Sequence, residues 1–138
     1  MKNLSLISVL IITAGSAVFG QGLQKGNLVG LHVATINLNP DVTMNQYKDF
    51  FIKTAAPEYE KSYPGAKVYL AKGVRGENEN SFSWIFVFES EKARDQYYNA
   101  DGTPNQTGKL AEEKFQPTFD KLNKLGTVTT KYTDWVIQ

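Results

Sequence analysis

A chain of 138 residues with 15 basic and 14 acidic side chains is one domain's worth of length with almost no net charge. Its charges are interspersed rather than clustered, which gives no pull toward nucleic acid or an anionic membrane. The absence of cysteine excludes disulfides, thiolate metal sites and a lipidated-cysteine anchor.

Lys2 precedes an uncharged run from Asn3 to Gln24, and Leu4 to Ala14 is mostly Leu, Ile and Val. Small residues follow at Ala14, Gly15, Ser16, Ala17 and Gly20. A basic start, a short apolar stretch and a small-residue cleavage site predict a secretion signal over residues 1–20. The apolar stretch is shorter than the roughly 20 residues of a membrane span. Val18 and Gly20 would face signal peptidase, leaving Gln21 as the new amino terminus of a periplasmic or secreted chain with no membrane attachment. That chain carries 14 basic and 14 acidic residues.

Residues 21–27 are polar and Gly-rich and read as a flexible lead to a domain over residues 28–138. Leu28 to Leu38 is the first strand, apolar on both faces and so covered on both sides. Thr43 caps a helix from Met44 to about Ala55, with Met44, Tyr47, Phe50, Phe51 and Ala55 along one stripe. Pro57 kinks or restarts it through Tyr63, and Pro64-Gly65 stops it.

Ala66 to Gly73 and Ser81 to Glu89 form a hairpin around a polar loop. The third strand sets Phe82, Trp84, Phe86 and Phe88 on one face against Ser83, Ile85 and Val87 on the other. Ser90 caps a short helix carrying Ala93 and Tyr97. A longer helix runs from about Gly108 to Leu125, bent at Pro117, with Leu110, Ala111, Phe115, Phe119, Leu122 and Leu125 on its buried side. Gly126 reads as its C-cap, and Thr127 to Ile137 as the last strand. The order predicts a ferredoxin-like βαββαβ fold of the α+β class: a four-stranded antiparallel sheet with helices on one face.

The opening Leu31-His32-Val33-Ala34-Thr35-Ile36-Asn37-Leu38-Asn39-Pro40, followed by a capped helix, resembles the start of stress-responsive barrel proteins in the dimeric α+β barrel superfamily. The resemblance covers Leu28 to Gln138 and extends to the antibiotic-biosynthesis-monooxygenase type. It implies a homodimer packed sheet on sheet. It also implies one of several activities: cofactor-free monooxygenases, cyclases, haem-degrading enzymes and proteins with no known activity all share the fold.

His32 is the one histidine, so a multi-histidine zinc site is ruled out and no metal or cofactor is expected. An imidazole in a cleft titrates near neutral pH, which makes His32 the candidate acid/base; the alternative is a histidine merely bonded to a neighbour. Gly30 and Ala34 flank it on the same face and leave room beside the ring. A ligand pocket is therefore expected between the sheet and the first helix, lined by His32, Tyr47, Phe51, Tyr69, Trp84 and Phe86. Tyr97-Tyr98 with Asp101-Gly102-Thr103-Pro104 reads as either a lid or an ordinary surface loop. The expected function is binding of a small apolar or aromatic molecule. The alternative is a cofactor-independent monooxygenase or cyclase acting on one; haem binding or breakdown is a third reading.

Overall fold

The computed structural model describes residues 22–138; the predicted secretion signal lies outside the described residues. Four strands, β1 (Leu28–Leu38), β2 (Ala66–Lys72), β3 (Phe82–Phe88) and β4 (Gly126–Val136), form one antiparallel sheet in the order β2-β3-β1-β4. Two crossovers that each carry helices place the last strand beside the first. This is the ferredoxin-like topology that the order of elements predicts.

The register decides which residues share a face. His32 lies opposite Trp84 on β3 and Tyr132 on β4, and Leu70 of β2 lies opposite Trp84. Alternation then puts Leu28, Gly30, His32, Ala34 and Ile36 on one face with all four aromatics of β3. That face carries the helices. Val29, Leu31 and Val33, with Ile85 and Val87, occupy the other, which no helix of the described residues covers.

The first connection is α1 (Met44–Phe50), a π-helical turn over Phe51–Ala55 and α2 (Ala56–Ser62). Thr43 and Gln46 form a capping box: the Thr43 hydroxyl accepts the Gln46 N–H at 3.2 Å, and Gln46 Oε1 accepts the Thr43 N–H at 2.7 Å. Pro57 does not break the helix. It sits in the first turn of α2, where a missing N–H is tolerated, just after the wider π turn.

The second connection is α3 (Glu91–Arg94), a loop, and α4 (Gln106–Asn123), which Asn105 caps two residues earlier than the sequence suggests. Gly126 is not a left-handed C-cap. It opens β4, and a Cβ there would lie 2.8 Å from Leu38 Cα, so close packing against β1 requires the glycine.

The core has two parts. One gathers Leu28, Tyr63, Ala66, Phe88, Tyr97 and Ala111; the other gathers Tyr47, Phe51, Ala55, Ala56, Val68 and Leu122. Leu110, expected inside, is exposed, because α4 turns the Ala111–Leu122 side toward the sheet. The expected flexible lead is tied down from Gln24 onward. Gly26 N–H donates to the Ile137 carbonyl at 2.8 Å and Ile137 N–H to the Asn27 carbonyl at 2.9 Å, prolonging the sheet.

The edge strand β2 is guarded. Glu60 accepts the Val68 N–H at 3.0 Å and pairs with Lys67 at 2.8 Å, which occupies an edge amide that would otherwise recruit another strand.

Candidate functional site

His32 sits in the middle of β1, and its ring is held by aromatic neighbours. Tyr132 stacks on it with centroids 4.9 Å apart and planes at 13°, and Phe86 meets it edge-on at 4.9 Å. Neither imidazole nitrogen has a hydrogen bond to the described residues. The ring opens onto a cavity of about 260 Å³ whose polar wall is His32, Asp134, Arg94, Tyr98 and Tyr132. Leu28, Tyr59, Trp84, Phe86 and Phe88 supply the apolar remainder.

A second cavity of about 130 Å³ lies on the far side of the same aromatic wall, and Tyr59, Trp84 and Phe86 line both. Its other boundaries are Phe51, Ala55 and Ala56 from the π turn and α2, and Phe115, Phe119 and Leu122 from α4. The two alanines leave the space that larger helix residues would fill. Trp84 stacks on Phe51 at 5.5 Å, so the wall is itself packed.

Gly30 is what lets the polar groups converge. Asp134 lies directly across from it on β4, and a Cβ on Gly30 would sit 3.0 Å from Asp134 Oδ1 and 3.6 Å from His32 Nε2. On the other side of Asp134, Arg94 Nε approaches Oδ2 at 3.6 Å. The guanidinium lies 5.0 Å over the Tyr98 ring and donates to the Asn99 carbonyl at 3.0 Å. The Tyr98 and Tyr59 hydroxyls are bonded to each other at 3.2 Å. Tyr98 also pairs with Pro104, and the loop between α3 and α4 contributes Tyr98 and Gly102 to the cavity lining.

Burial holds the His32 imidazole below its ordinary pKa, with the Asp134 carboxylate pulling the other way. The net shift is downward, so near pH 7 the ring is neutral and can accept a proton. As pH falls the unfolded chain protonates this histidine first, through its ordinary value of about 6.5. The native state therefore loses stability until the native pKa is passed. For His32→Gln, the difference in Tm between variant and wild type should move in the variant's favour from about pH 7 to about pH 5. An unchanged difference across that range contradicts the shift.

Of the residues expected to line one pocket, His32, Trp84 and Phe86 do line the cavity described, and Phe51 lines its neighbour. Tyr47 is fully buried behind the wall and reaches neither cavity. Its burial pushes its hydroxyl up to about 12, with the nearby Trp84 indole acting in the opposite direction. Tyr69 requires a correction. The pairing of Leu70 with Trp84 turns Tyr69 to the open face, where it is more than half exposed and lines only a separate edge groove. Asp134, Arg94, Tyr59 and Tyr132 belong to the site and were not anticipated in it; Tyr98, expected only as part of a lid or a surface loop, lines it too. Asp134 in a Thr-, Tyr- and Trp-rich strand was a visible signal, but only the register places it beside Gly30.

No family model and no curated protein match the chain. Among solved structures it is similar to SnoaB, a cofactor-independent oxygenase from Streptomyces nogalater. That pair is 18% identical over 82% of this chain and 94% of that one, with a TM-score of 0.49. A nipsnap family protein of unknown function from Agrobacterium tumefaciens is 13% identical over 83% and 93%, TM-score 0.49. A dimeric ferredoxin-like protein from an uncultured marine organism is 16% identical over 80% and 93%, TM-score 0.42. The fold itself rests on the strand order and register above.

Proposed function

We propose that the chain is an exported, homodimeric protein that binds a small aromatic or apolar molecule between the sheet and its helices. The observation that carries this reading is the pair of cavities meeting at Tyr59, Trp84 and Phe86, one apolar and the other bearing His32 and Asp134. An apolar wall with a few convergent polar groups is the usual make-up of a small-molecule site. Volumes of about 130 and 260 Å³ suit one or two fused rings, below the range for drug-sized ligands.

The homodimer rests on the open sheet face, where no helix of the described residues lies over Leu31, Val33, Ile85 and Val87 and Trp135 is 58% exposed. Such a surface suits sheet-on-sheet packing with a second copy. Export rests on the residue pattern over 1–20.

A ligand that binds only the native state stabilises it by mass action, by about 2.7 kcal/mol at a hundredfold excess over Kd, and so raises Tm. A panel of hydroxylated bicyclic aromatics should contain members that raise Tm by several degrees. A flat response across that panel at near-saturating concentration counts against the reading.

A second reading, an acid/base enzyme of the cofactor-independent oxygenase or cyclase kind, is favoured by one observation: an unbonded His32 beside Asp134. Such a histidine takes a proton from a bound hydroxyl at Nε2, and the carboxylate stabilises the imidazolium formed. Haem is not supported. The His32 ring is covered by Tyr132, and a cavity of about 260 Å³ does not admit a tetrapyrrole.

A further inference from the structure

Resting on the ligand reading of the cleft, we infer that the Gly30–His32–Asp134 corner is a head-group selector that takes a hydroxyl donor, such as a phenol or enol, and rejects a carboxylate. The geometry is specific. The position that a Gly30 Cβ would occupy lies 3.0 Å from Asp134 Oδ1 and 3.6 Å from His32 Nε2. That point is at bonding distance from Gly30 Cα and holds no ligand atom itself, but the two acceptors flank the same glycine and line the same cavity, so a ligand oxygen in front of Gly30 faces both. Neither acceptor is spent among the described residues: His32 has no hydrogen bond to them, and of them only Arg94 approaches Asp134, at 3.6 Å.

Charge acts in the same direction. Among the described residues Arg94 is the one cation on the cavity wall, its side chain is only 13% exposed, and two carboxylates, Asp134 at 3.6 Å and Asp95 at 3.4 Å, face it. An arriving anion therefore meets a guanidinium already compensated twice, and it must also approach Asp134. A cationic head fares poorly for the complementary reason, since Arg94 already faces the Asp134 carboxylate. A neutral ring hydroxyl donates its single hydrogen to one of these acceptors without adding charge, while the ring lies against Phe86 and Trp84.

Calorimetry on the untagged full-length domain at pH 7 tests this with 2-naphthol and naphthalene-2-carboxylate, which present the same ring system with different heads. One charge-assisted hydrogen bond predicts that naphthol binds about tenfold or more tightly. Asp134→Asn keeps the shape and removes the charge, and Gly30→Ala puts a methyl group at the selecting point. Each should shrink the preference toward one. A carboxylate that binds as tightly as the naphthol overturns the selector while leaving the ligand site in place, as does a preference unchanged in both variants. Binding of neither probe overturns the ligand site and the selector together.

Discussion

Leu31→Glu should convert the proposed dimer to a monomer, as read by light scattering at micromolar concentration. Leu31 is the centre of the open sheet face, paired with Ile85 on one side and Thr133 on the other. In the isolated subunit it points away from the helices, so a glutamate there reaches water and leaves the fold intact. Packed against a second sheet, the carboxylate loses its hydration, and Lys131, opposite Val33 on the same face, offsets only part of a cost of several kcal/mol. That is about a thousandfold or more in the dimer Kd. The same face turns polar beyond Val33, at Thr35 and Asn37 with Thr129 and Thr127 opposite them. Thr35→Glu should therefore weaken the dimer far less. A wild-type chain that scatters as a monomer removes the dimer outright, and equal effects of the two substitutions remove the proposed location of its interface.

Tyr47→Ala should cost the most stability of any single change at the site's supporting core. The ring is completely buried, lies 6.5 Å from Phe51 and belongs to the cluster with Ala55, Ala56, Val68 and Leu122. Truncating a large buried aromatic costs about 3–5 kcal/mol in lost transfer energy and residual cavity. For a domain of this size that is a drop in Tm on the order of 10–20 °C. Tyr47→Phe should behave in the opposite way. The Tyr47 hydroxyl and the Trp84 indole N–H are both buried without a well-formed hydrogen bond. Deleting an unsatisfied hydroxyl removes a desolvation cost rather than an interaction, so the phenylalanine variant should be at least as stable as wild type within about 0.5 kcal/mol. Denaturant unfolding of the two variants decides this. A phenylalanine variant as unstable as the alanine one shows that the hydroxyl holds the wall together.

Much of the fold was legible in local patterns. Alternation in Leu28–Leu38 and Phe82–Phe88 marked β1 and β3, and Thr43 and Ser90 marked two helix starts through their side-chain oxygens. The position of His32 between Gly30 and Ala34 also followed from alternation. What was not legible depends on register between distant strands. Tyr69 looks as eligible as Leu70 until the hairpin pairing fixes Leu70 opposite Trp84, and a one-residue shift exchanges the two faces. Asp134 becomes a partner of His32 only because β4 pairs with β1 at Gly30, some 100 residues earlier in the chain. Arg94 reaches the same cavity from a four-residue helix whose direction is set by tertiary packing. The stripe on α4 misplaced Leu110 for the same kind of reason: periodicity gives a face, but contacts at Ala111 and Leu122 fix its rotation.

The most direct measurement on the ligand site is a nuclear magnetic resonance titration of the labelled domain with 2-naphthol. The chain has one histidine, so the His32 imidazole gives a single assigned reporter inside the cleft. Saturable shifts should concentrate at His32, Phe86, Tyr98 and Tyr132, which face the cavity, and should be small at Val29, Leu31 and Val33 on the opposite sheet face. Shifts confined to that open face, or no shift at His32 at saturating probe, would contradict a binding site between the sheet and its helices.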